Sequence, residues 1–313
     1  MAGMKPLLLV MNPMSRTALE AIAARFELLV APDDAQRAAT IAARGAELDA
    51  VLTIGSVGLT AAEIDAMPRL TLVCVLGAGF ENVAVDHARA RGIVVATGAG
   101  TNDDCVADHA MALLLAVVRA VPRFDRACRA GVWRSALPVQ PNVSHKRLGI
   151  IGLGAIGRKI ARRAAGFEMA IGFHSRSRRD DVPYRWFDSA TALAQWCDFL
   201  VVATPGGAAT RHLVDAAVLS ALGAEGYLVN IARGSVVDTA ALAEALRAGR
   251  VRGAGLDVYE SEPAPPAELL AFDNVVLTPH TAGASPEAQQ ASLERFIENA
   301  TRHFAGQPVV SPL

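Results

Sequence analysis

The segment Arg147-Leu-Gly-Ile-Ile-Gly-Leu-Gly-Ala-Ile-Gly157-Arg-Lys-Ile-Ala161 determines how the whole chain is interpreted. Its first part, Leu148 to Ile151, is short, apolar and rich in branched residues, which is typical of a buried strand. Apolar residues at helical spacing follow, beginning with Ile156 and Ile160. Between strand and helix lies a G-x-G-x-x-G turn, the spacing of a dinucleotide-binding loop in that context. The residues of this turn are Gly152, Leu153, Gly154, Ala155, Ile156 and Gly157.

Each glycine of this turn has a separate task in such a loop. Gly152 permits the tight turn, Gly154 lets a pyrophosphate approach the backbone without meeting a Cβ, and Gly157 lets the helix pack closely on the strand. The N–H groups and the positive dipole end of the helix would then face the phosphates. We therefore expect a bound dinucleotide, the alternative being a glycine-rich loop that binds nothing.

Length and composition indicate a globular protein of two domains. The chain has 313 residues, of which 52% are hydrophobic and 19% charged, enough apolar material for substantial cores. Its net charge is −1 and its pI is near 6.7, which argues against a basic surface for nucleic acid or membranes. We expect neither of those partners.

The cysteines and the N-terminal sequence indicate a reducing compartment. Cys74, Cys105, Cys128 and Cys197 are scattered without a C-x-x-C pair, so we expect reduced thiols and no disulfide framework. No ligand-spaced cluster suggests a metal. The apolar run at residues 7–11 is too short for a signal peptide, and no run reaches the ~20 residues of a membrane span. We expect a cytoplasmic protein.

Strands and helices alternate along the chain in the manner of βαβ units. This alternation predicts an α/β fold with two doubly wound parallel-sheet domains. The domain that contains the glycine-rich turn is predicted to be a Rossmann dinucleotide-binding domain. Strands are predicted at residues 7–11, 26–30, 50–54, 72–76, 94–95, 148–151, 170–173, 199–203, 227–231, 253–256 and 275–277. Besides the helix behind the glycine-rich turn, helices are predicted at residues 18–25, 36–44, 61–66, 103–119, 188–196, 216–222, 239–247 and 287–304.

Three ionisable residues, Arg233, Glu262 and His280, follow predicted strands in the second half of the chain. Open α/β sheets bind their ligands at the carboxyl ends of the strands. Each residue alone has an ordinary explanation, as a salt-bridged arginine, a loop glutamate or a structural histidine. Together, in a dinucleotide-binding domain, they indicate a catalytic site.

Five motifs resemble those of the D-isomer-specific 2-hydroxyacid dehydrogenase family, in the same order and over nearly the whole chain. Within that family the chain is most similar to the glyoxylate, hydroxypyruvate and hydroxyphenylpyruvate reductases. The resemblance implies a homodimer, a dinucleotide-binding domain of residues 100–283, and a substrate domain assembled from residues 1–99 and 284–313. The motifs are Gly77-Ala-Gly79-Phe-Glu-Asn82, Gly152-Leu-Gly-Ala-Ile-Gly157, Asn230-Ile-Ala-Arg-Gly234, Gly255-Leu-Asp-Val-Tyr-Glu-Ser-Glu-Pro263 and Thr278-Pro-His280.

The resemblance also implies roles for individual residues. His280 resembles the acid that protonates the substrate carbonyl oxygen, and Glu262 resembles its carboxylate partner, which raises the pKa of an imidazole. Arg233 resembles the cation that polarises the keto group and holds the substrate carboxylate. Backbone N–H groups would hold the other side of that carboxylate, from Gly77, Ala78 and Gly79. Further expected cofactor-binding positions are Thr204, Pro205, Ile231, Ala232 and Asp257, of which the last resembles the residue that bonds the nicotinamide amide.

The residues after the predicted strand at 170–173 indicate NADPH as the preferred cofactor, with NADH as the other option. In NAD-binding domains an acidic residue about 20 positions after the first glycine accepts hydrogen bonds from the ribose. Here Ser175 stands near that position and Arg176 follows it. A carboxylate would repel a 2′-phosphate, whereas a hydroxyl and a guanidinium can donate to it. Arg178 and Arg179 either add to the positive electrostatic potential at the 2′-phosphate or are solvent-exposed charges without a binding role.

The expected function is the NADPH-dependent reduction of a small 2-keto acid, glyoxylate or hydroxypyruvate, to the D-2-hydroxy acid. His280 is the expected general acid. Alternatives within the family are dehydrogenases for phosphoglycerate, D-lactate, hydroxyphenylpyruvate, formate or phosphite. A different class is a nucleotide-sensing corepressor of the same fold, since fold alone does not separate binding proteins from enzymes.

Two further positions, Trp133 and Asp103, each have two interpretations. Trp133 either reaches the pocket of a partner subunit or packs in the core of a dimer interface. Asp103 either caps a helix or faces the cofactor phosphates, and we favour the cap. The remaining histidines that match no catalytic motif are interpreted as structural or surface residues: His87, His109, His145, His212 and His303.

Overall fold

The computed structural model describes residues 5–313, which form two compact units. The first unit comprises the chain up to Asn102 together with Ala284–Leu313, and the second comprises Asp103–Gly283. Each unit has its own parallel sheet, which confirms the predicted α/β class with two parallel-sheet domains. The first unit therefore takes its residues from both ends of the chain.

Within residues 5–102 and 284–313, the first unit contains five strands and five α-helices: β1 (Leu7–Val10), β2 (Glu27–Val30), β3 (Ala50–Ile54), β4 (Leu72–Leu76), β5 (Val94–Thr97), α1 (Arg16–Ala23), α2 (Asp34–Arg44), α3 (Ala61–Asp65), α4 (Val85–Ala90) and α11 (Pro286–Phe304). The strands pair in the order β2-β1-β3-β4-β5. Every residue of β1 is buried. Continuous apolar strands of this kind are typical of a parallel sheet covered on both faces.

Helix α11 supplies part of the core of the first unit. Phe296 and Ala300 are buried in one apolar cluster with residues of β1 and β4. The segment after α11 pairs with β5, where the N–H of Leu313 donates to the carbonyl oxygen of Val95 at 2.9 Å. The C-terminal residues are therefore part of the packing of the first sheet.

The second unit contains seven strands and six α-helices: β6 (Arg147–Ile151), β7 (Ala170–His174), β8 (Arg185–Phe187), β9 (Phe199–Val202), β10 (Tyr227–Asn230), β11 (Gly253–Leu256), β12 (Val275–Leu277), α5 (Asp103–Val118), α6 (Val121–Arg129), α7 (Ala155–Ala165), α8 (Ala190–Trp196), α9 (Ala216–Leu222) and α10 (Thr239–Arg247). The strands pair in the order β12-β11-β10-β9-β6-β7-β8, and all pairs are parallel. Their carboxyl ends therefore lie along one edge of the sheet.

Helix α5 is apolar because it is packed inside the second unit. Nine of its residues are buried, and it contacts α7, β10 and β11. No single helix in residues 5–313 is long and apolar enough to cross a membrane. Only together would helices α5 and α6 have the length and apolar composition of a membrane-spanning segment, and the two are bent by 56° where they meet.

Several elements differ from the sequence prediction. Strand β8 and helices α4 and α6 were not predicted, and the strands predicted at 199–203 and 227–231 each end one residue earlier. The bend between α5 and α6 occurs at Ala120, whose φ of 52° is left-handed, and Pro122 lies in the first turn of α6. Proline is tolerated in a first turn because its missing N–H is not needed there.

Candidate active site

Arg233, Glu262 and His280 follow β10, β11 and β12, which are neighbours in the sheet of the second unit. Because parallel strands end at the same edge, the loops that carry these residues are adjacent. The charge of Arg233 acts on both of the others: it contributes to the lowered pKa of the Glu262 carboxyl, and it offsets part of the rise in pKa that the hydrogen bond to Glu262 gives the His280 imidazole. The structure therefore brings the three residues into one cluster.

His280 and Glu262 form a hydrogen-bonded pair. The Nδ1 atom of His280 lies 2.8 Å from Oε2 of Glu262, whose Oε1 accepts the N–H of Tyr259 at 2.8 Å. The hydrogen bond to Glu262 raises the pKa of His280 above its ordinary value, although burial opposes this. Burial also opposes ionisation of Glu262, but the bonds from His280 and Tyr259 outweigh it and lower the pKa of that carboxyl. The pair favours imidazolium beside carboxylate.

The backbone at His280 adopts a left-handed conformation, with φ at 53°. Its N–H donates to the carbonyl oxygens of Asp257 at 2.8 Å and Thr278 at 3.0 Å. A residue with a Cβ is seldom found in this region of backbone space, and such exceptions concentrate at functional sites. The turn after β12 thus fixes the position from which the imidazole projects.

Asp257 holds the same turn with its side chain. It is 1% exposed, and its Oδ1 accepts the hydroxyl of Thr278 at 2.6 Å and the N–H of Thr281 at 2.9 Å. Its Oδ2 accepts the N–H of Ala282 at 2.9 Å. Both carboxylate oxygens are therefore engaged with the segment that carries His280, a positioning role that the sequence analysis did not assign.

The loop that carries Arg233 is shaped by Asn230 at the end of β10. The Asn230 side chain accepts the N–H of Ala232 and donates to the carbonyl oxygen of Arg233, each at 3.0 Å. A Cβ on Gly234 would overlap the backbone of Tyr259, so glycine is needed where the β10 and β11 loops meet. This close contact fixes Arg233 relative to the loop of Glu262.

The first unit contains the predicted carboxylate-binding loop, residues 77–79, directly after β4. Gly77 has a φ of +78° and accepts the N–H of Gly98 at 2.9 Å. A Cβ on Gly55 would overlap the carbonyl oxygen of Gly79, and a Cβ on Gly98 would lie 2.6 Å from the nitrogen of Gly77. Glycines therefore allow the loops after β3, β4 and β5 to pack together at one edge of the first sheet.

The glycine-rich turn has the form that a dinucleotide requires. A Cβ on Gly152, whose φ is +94°, would lie 2.6 Å from the carbonyl oxygen of Ala203, and a Cβ on Gly157 would overlap the carbonyl oxygen of Gly152. At Gly154, the residue before α7, nothing lies within 4 Å of an added Cβ. Two glycines are thus required by the fold, while the third leaves open space beside the helix N-terminus. These residues fit a bound pyrophosphate.

The other predicted cofactor residues follow neighbouring strands of the same sheet. Ser175 and Arg176 come after β7, Ser175 half-buried and Arg176 exposed, and the Ser175 hydroxyl donates to the carbonyl oxygen of Ser177 at 2.7 Å. The His174 ring lies 3.0 Å from the carbonyl oxygen of Phe187, through Nδ1. Thr204 and Pro205 follow β9, while Ile231 and Ala232 are buried after β10.

Residues 111–282 match the family described as D-isomer specific 2-hydroxyacid dehydrogenase, NAD binding domain. The chain belongs to this family. The match spans more than half of the chain and includes the glycine-rich turn and all three clustered residues. As a 2-hydroxyacid dehydrogenase, the protein is an enzyme with a nicotinamide-nucleotide-binding domain.

Relatives of this dehydrogenase match it along almost its whole length. It is 37% identical to glyoxylate/hydroxypyruvate reductase A of Arabidopsis thaliana, over 97% of this chain and 98% of the relative. It is 36% identical to hydroxyphenylpyruvate reductase of Plectranthus scutellarioides, with the same two coverages. These similarities confirm the family predicted from the sequence motifs.

A solved structure of similar fold is that of an NADPH-dependent glyoxylate/hydroxypyruvate reductase from Sinorhizobium meliloti, in complex with NADP and malonate. The TM-score is 0.91 and the sequence identity is 36%, covering 99% of this chain and 97% of that one. The similarity confirms the two-domain Rossmann-type architecture of this dehydrogenase.

Two residues near the dehydrogenase site were missed by the sequence analysis. His109 on α5, interpreted as structural or surface, places Nε2 2.9 Å from the hydroxyl of Thr278 and 3.5 Å from Oδ1 of Asp257. The hydroxyl of Tyr259 donates to the carbonyl oxygens of Thr278 at 2.7 Å and Leu256 at 3.0 Å. Burial raises the pKa of Tyr259 to about 12, so the phenol remains a donor. Tyr259 lies within a motif, but no local signal marks His109.

The positions with two interpretations have the following surroundings in this dehydrogenase. Asp103 is buried in the first turn of α5, and burial raises the pKa of its carboxyl. Trp133 follows α6 and is 71% exposed. Among residues 5–313 there is no group of three or more His, Cys, Asp or Glu side chains placed to bind a metal ion. The four cysteines are free thiols.

Proposed function

We propose that this dehydrogenase reduces glyoxylate or hydroxypyruvate to the corresponding D-2-hydroxy acid with NADPH. The observation that supports this most directly is the pairing of His280 with Glu262 at the carboxyl edge of the sheet that contains the glycine-rich turn. Carbonyl reduction requires a positioned acid because the oxygen must gain a proton as the carbon gains hydride. The names of the Arabidopsis relative and of the Sinorhizobium structure support the substrate class.

The proposed proton route runs through the imidazole of His280. Its Nδ1 is engaged with Glu262, so Nε2 is the atom that donates to the substrate carbonyl oxygen. After transfer, the neutral ring keeps its remaining proton on Nδ1, directed at Glu262. The carboxylate stays ionised because its pKa is lowered, and it thereby holds the ring in one tautomer.

Arg233 and the loop at residues 77–79 are the proposed ligands of the substrate carboxylate. A guanidinium can polarise the keto oxygen and hold a carboxylate at the same time through its fork of N–H donors. Backbone N–H groups at glycines allow an anion to approach closely, because no Cβ stands in the way. The first unit is accordingly the proposed substrate domain, and the second the cofactor domain.

The proposed cofactor site consists of residues 152–157, Ser175, Arg176 and the residues after β9 and β10. When bound, the reduced nicotinamide supplies the hydride that is added to the keto carbon. The turn and the N-terminus of α7 hold the pyrophosphate, for which Gly154 leaves room. The absence of an acidic side chain at Ser175, with Arg176 beside it, supports a 2′-phosphate and hence NADPH.

A substrate panel tests the proposed reaction. With NADPH, we expect glyoxylate and hydroxypyruvate to show the highest kcat/KM, above pyruvate, with hydroxyphenylpyruvate as a further substrate. The panel should also contain phosphohydroxypyruvate, formate and phosphite, the last two assayed with oxidised cofactor. Turnover of only formate, phosphite or a phosphorylated acid would reject the proposal.

A cofactor exchange tests the proposed nucleotide. The wild-type protein should show a higher kcat/KM for NADPH than for NADH with the same keto acid. The double variant Ser175→Asp, Arg176→Ala should move the preference toward NADH, because a carboxylate repels the 2′-phosphate and binds the ribose hydroxyls. A wild-type preference for NADH would show that Ser175 and Arg176 do not select the cofactor as proposed.

We further propose that the enzyme is a cytoplasmic homodimer. Exposed apolar side chains follow α6, among them Val132, Trp133 and Val139, which are 37%, 71% and 92% exposed. Apolar surface of this kind supports a protein interface. Sedimentation equilibrium should give twice the monomer mass, and Trp133→Ser should shift the equilibrium toward monomer.

A further inference from the structure

Arg158 and Asp181 form an ion pair beside the glycine-rich turn. The Nη2 atom of Arg158 lies 2.9 Å from Oδ2 of Asp181. Arg158 is on α7, four residues after Gly154, and its side chain is 32% exposed. Asp181 is on the loop between β7 and β8 and is 63% exposed. An ion pair this exposed to solvent contributes little to the free energy of unfolding. Its location beside the glycine-rich turn therefore bears on ligand binding more than on stability.

The ion pair places the Arg158 guanidinium against the loop that begins with Ser175 and Arg176. Strands β6 and β7 are paired up to Ile151 and His174, and the N–H of Gly152 donates to the carbonyl oxygen of His174 at 2.9 Å. The start of α7 and the start of this loop therefore lie on neighbouring strands at one edge of the sheet. Arg158 connects α7 to this loop by a direct contact with Asp181.

The chemistry of Arg158 suits a phosphate at this loop. A guanidinium carries five N–H donors, and one carboxylate engages at most two of them in a fork. Contact with Asp181 therefore leaves donors for a second anion. Asp181 also limits the rotamers of a long side chain, which lowers the entropy lost when that side chain binds a ligand.

We propose that Arg158 is a third residue of the 2′-phosphate site and that Asp181 holds its guanidinium there. This inference rests on the proposed use of NADPH and deepens it. The guanidinium of Arg158, on α7, joins the Ser175 hydroxyl and the Arg176 guanidinium as a ligand of the 2′-phosphate. Arg158 is a binding residue for the cofactor and takes no part in hydride or proton transfer.

Direct binding of nucleotides tests the inference without turnover. Calorimetry should compare adenosine 2′,5′-bisphosphate with ADP, which lacks the 2′-phosphate. Arg158→Ala should weaken binding of the bisphosphate by about 10- to 100-fold, the effect of one charge-assisted hydrogen bond, while ADP binding changes by less than about 2-fold. Arg158→Lys should lie between the two, because it keeps the charge and loses the fork.

Arg162→Ala is the matched control, since Arg162 is an exposed arginine one turn later on the same helix. It should bind both nucleotides as the wild type does. In steady-state assays with glyoxylate, Arg158→Ala should raise the KM for NADPH and leave the KM for NADH unchanged. Near-wild-type melting of each variant establishes that the fold is intact.

Three results would overturn the inference: unchanged bisphosphate binding in Arg158→Ala, an equal loss for both nucleotides, or an equal loss in Arg162→Ala. If the wild type binds the bisphosphate more tightly than ADP and Arg158→Ala keeps the same preference, only the role of Arg158 is wrong. If the wild type binds ADP as tightly as the bisphosphate and prefers NADH, the proposed use of NADPH fails together with this inference.

Discussion

The Nδ1 atom of His280 lies 2.8 Å from the Oε2 atom of Glu262, and this contact joins the loops that follow two neighbouring strands, β12 and β11. Asp257, which follows β11, also joins the two loops by accepting the N–H of Thr281, and the N–H of Tyr259 holds the Glu262 carboxylate within its own loop. The acid of the proposed reaction is thus positioned before any substrate arrives. Preorganisation of this kind is what a positioned proton donor requires.

His280→Ala tests the assignment of the acid. Turnover of glyoxylate should fall by about 10²- to 10⁴-fold, the usual contribution of a positioned acid or base. Binding of the cofactor, followed by fluorescence titration, should be retained because the ring is not part of the glycine-rich turn. Turnover within a few-fold of the wild type would remove His280 from the mechanism.

The pH dependence of reduction follows from the charge state of His280. Its pKa is raised above the ordinary value of 6.5, mainly by the hydrogen bond to Glu262. Because reduction consumes the imidazolium form, kcat/KM should be constant at low pH and fall as the pH rises through this raised pKa. Oxidation of the hydroxy acid requires the neutral imidazole as a base, so its kcat/KM should rise as the pH increases through the same pKa.

Glu262→Gln removes the main cause of that raised pKa. Burial and the nearby charge of Arg233 then dominate, and both lower the pKa of His280. The falling limb of the reduction profile should therefore move to lower pH, and kcat at neutral pH should decrease. A limb at the wild-type position would mean that the carboxylate does not set the ionisation of the histidine.

Arg233→Ala should affect substrate binding and chemistry together. The guanidinium is proposed to touch both the carboxylate and the keto oxygen, so KM for glyoxylate should rise while kcat falls. KM for NADPH serves as the internal control and should change little. A rise in KM with unchanged kcat would confine Arg233 to ground-state binding.

Two glycines of the cofactor turn should respond differently to alanine. An added Cβ at Gly154 meets nothing within 4 Å, so Gly154→Ala should keep the melting temperature of the free protein nearly unchanged and weaken cofactor binding. At Gly157 the same Cβ overlaps a backbone oxygen of Gly152, so Gly157→Ala should lower the melting temperature. Equal melting of the two variants would contradict this division.

Asp257→Asn should destabilise the second unit and reduce turnover. An amide has one acceptor oxygen where the carboxylate uses two, which leaves a buried N–H unpaired at a cost of about 1–3 kcal/mol. The exposed Asp273, on the surface of the same unit, provides the control Asp273→Asn. Comparable melting temperatures for the two variants would mean that the hydrogen bonds accepted by Asp257 do not stabilise the second unit.

The sequence predicts most of the fold because its signals are local. Buried parallel strands are continuous apolar runs, and segments of helical spacing separate most of them, so their alternation is readable without tertiary information. Strand β8, Arg185–Phe187, begins with an arginine and so lacks the continuous apolar run that marks β12, a strand of the same length. Helix α4 has no side chain that caps its start, so no local signal marks it.

The site is predictable where its residues lie in motifs and unpredictable where contacts bridge distant segments. Arg233, Glu262 and His280 each follow a strand, so topology alone brings them together. The contact of His109 with Thr278 joins residues 169 positions apart, and nothing near His109 in the sequence indicates it. Likewise, the pattern that suggests Ser175 and Arg176 contains no sign that Asp181 holds a third arginine.

The position of α11 sets an order for folding during synthesis. Phe296 and Ala300 complete an apolar cluster on β1 and β4, and Leu313 pairs with β5, yet these residues leave the ribosome after the whole of the second unit. The second unit is continuous in sequence and has emerged by then, so it can fold first. Until then, the face of the first sheet that Phe296 and Ala300 cover is shielded only in part, by residues such as Ile22 of α1. That face, and not the nucleotide-binding half, is where a chaperone would be needed while the chain is being made.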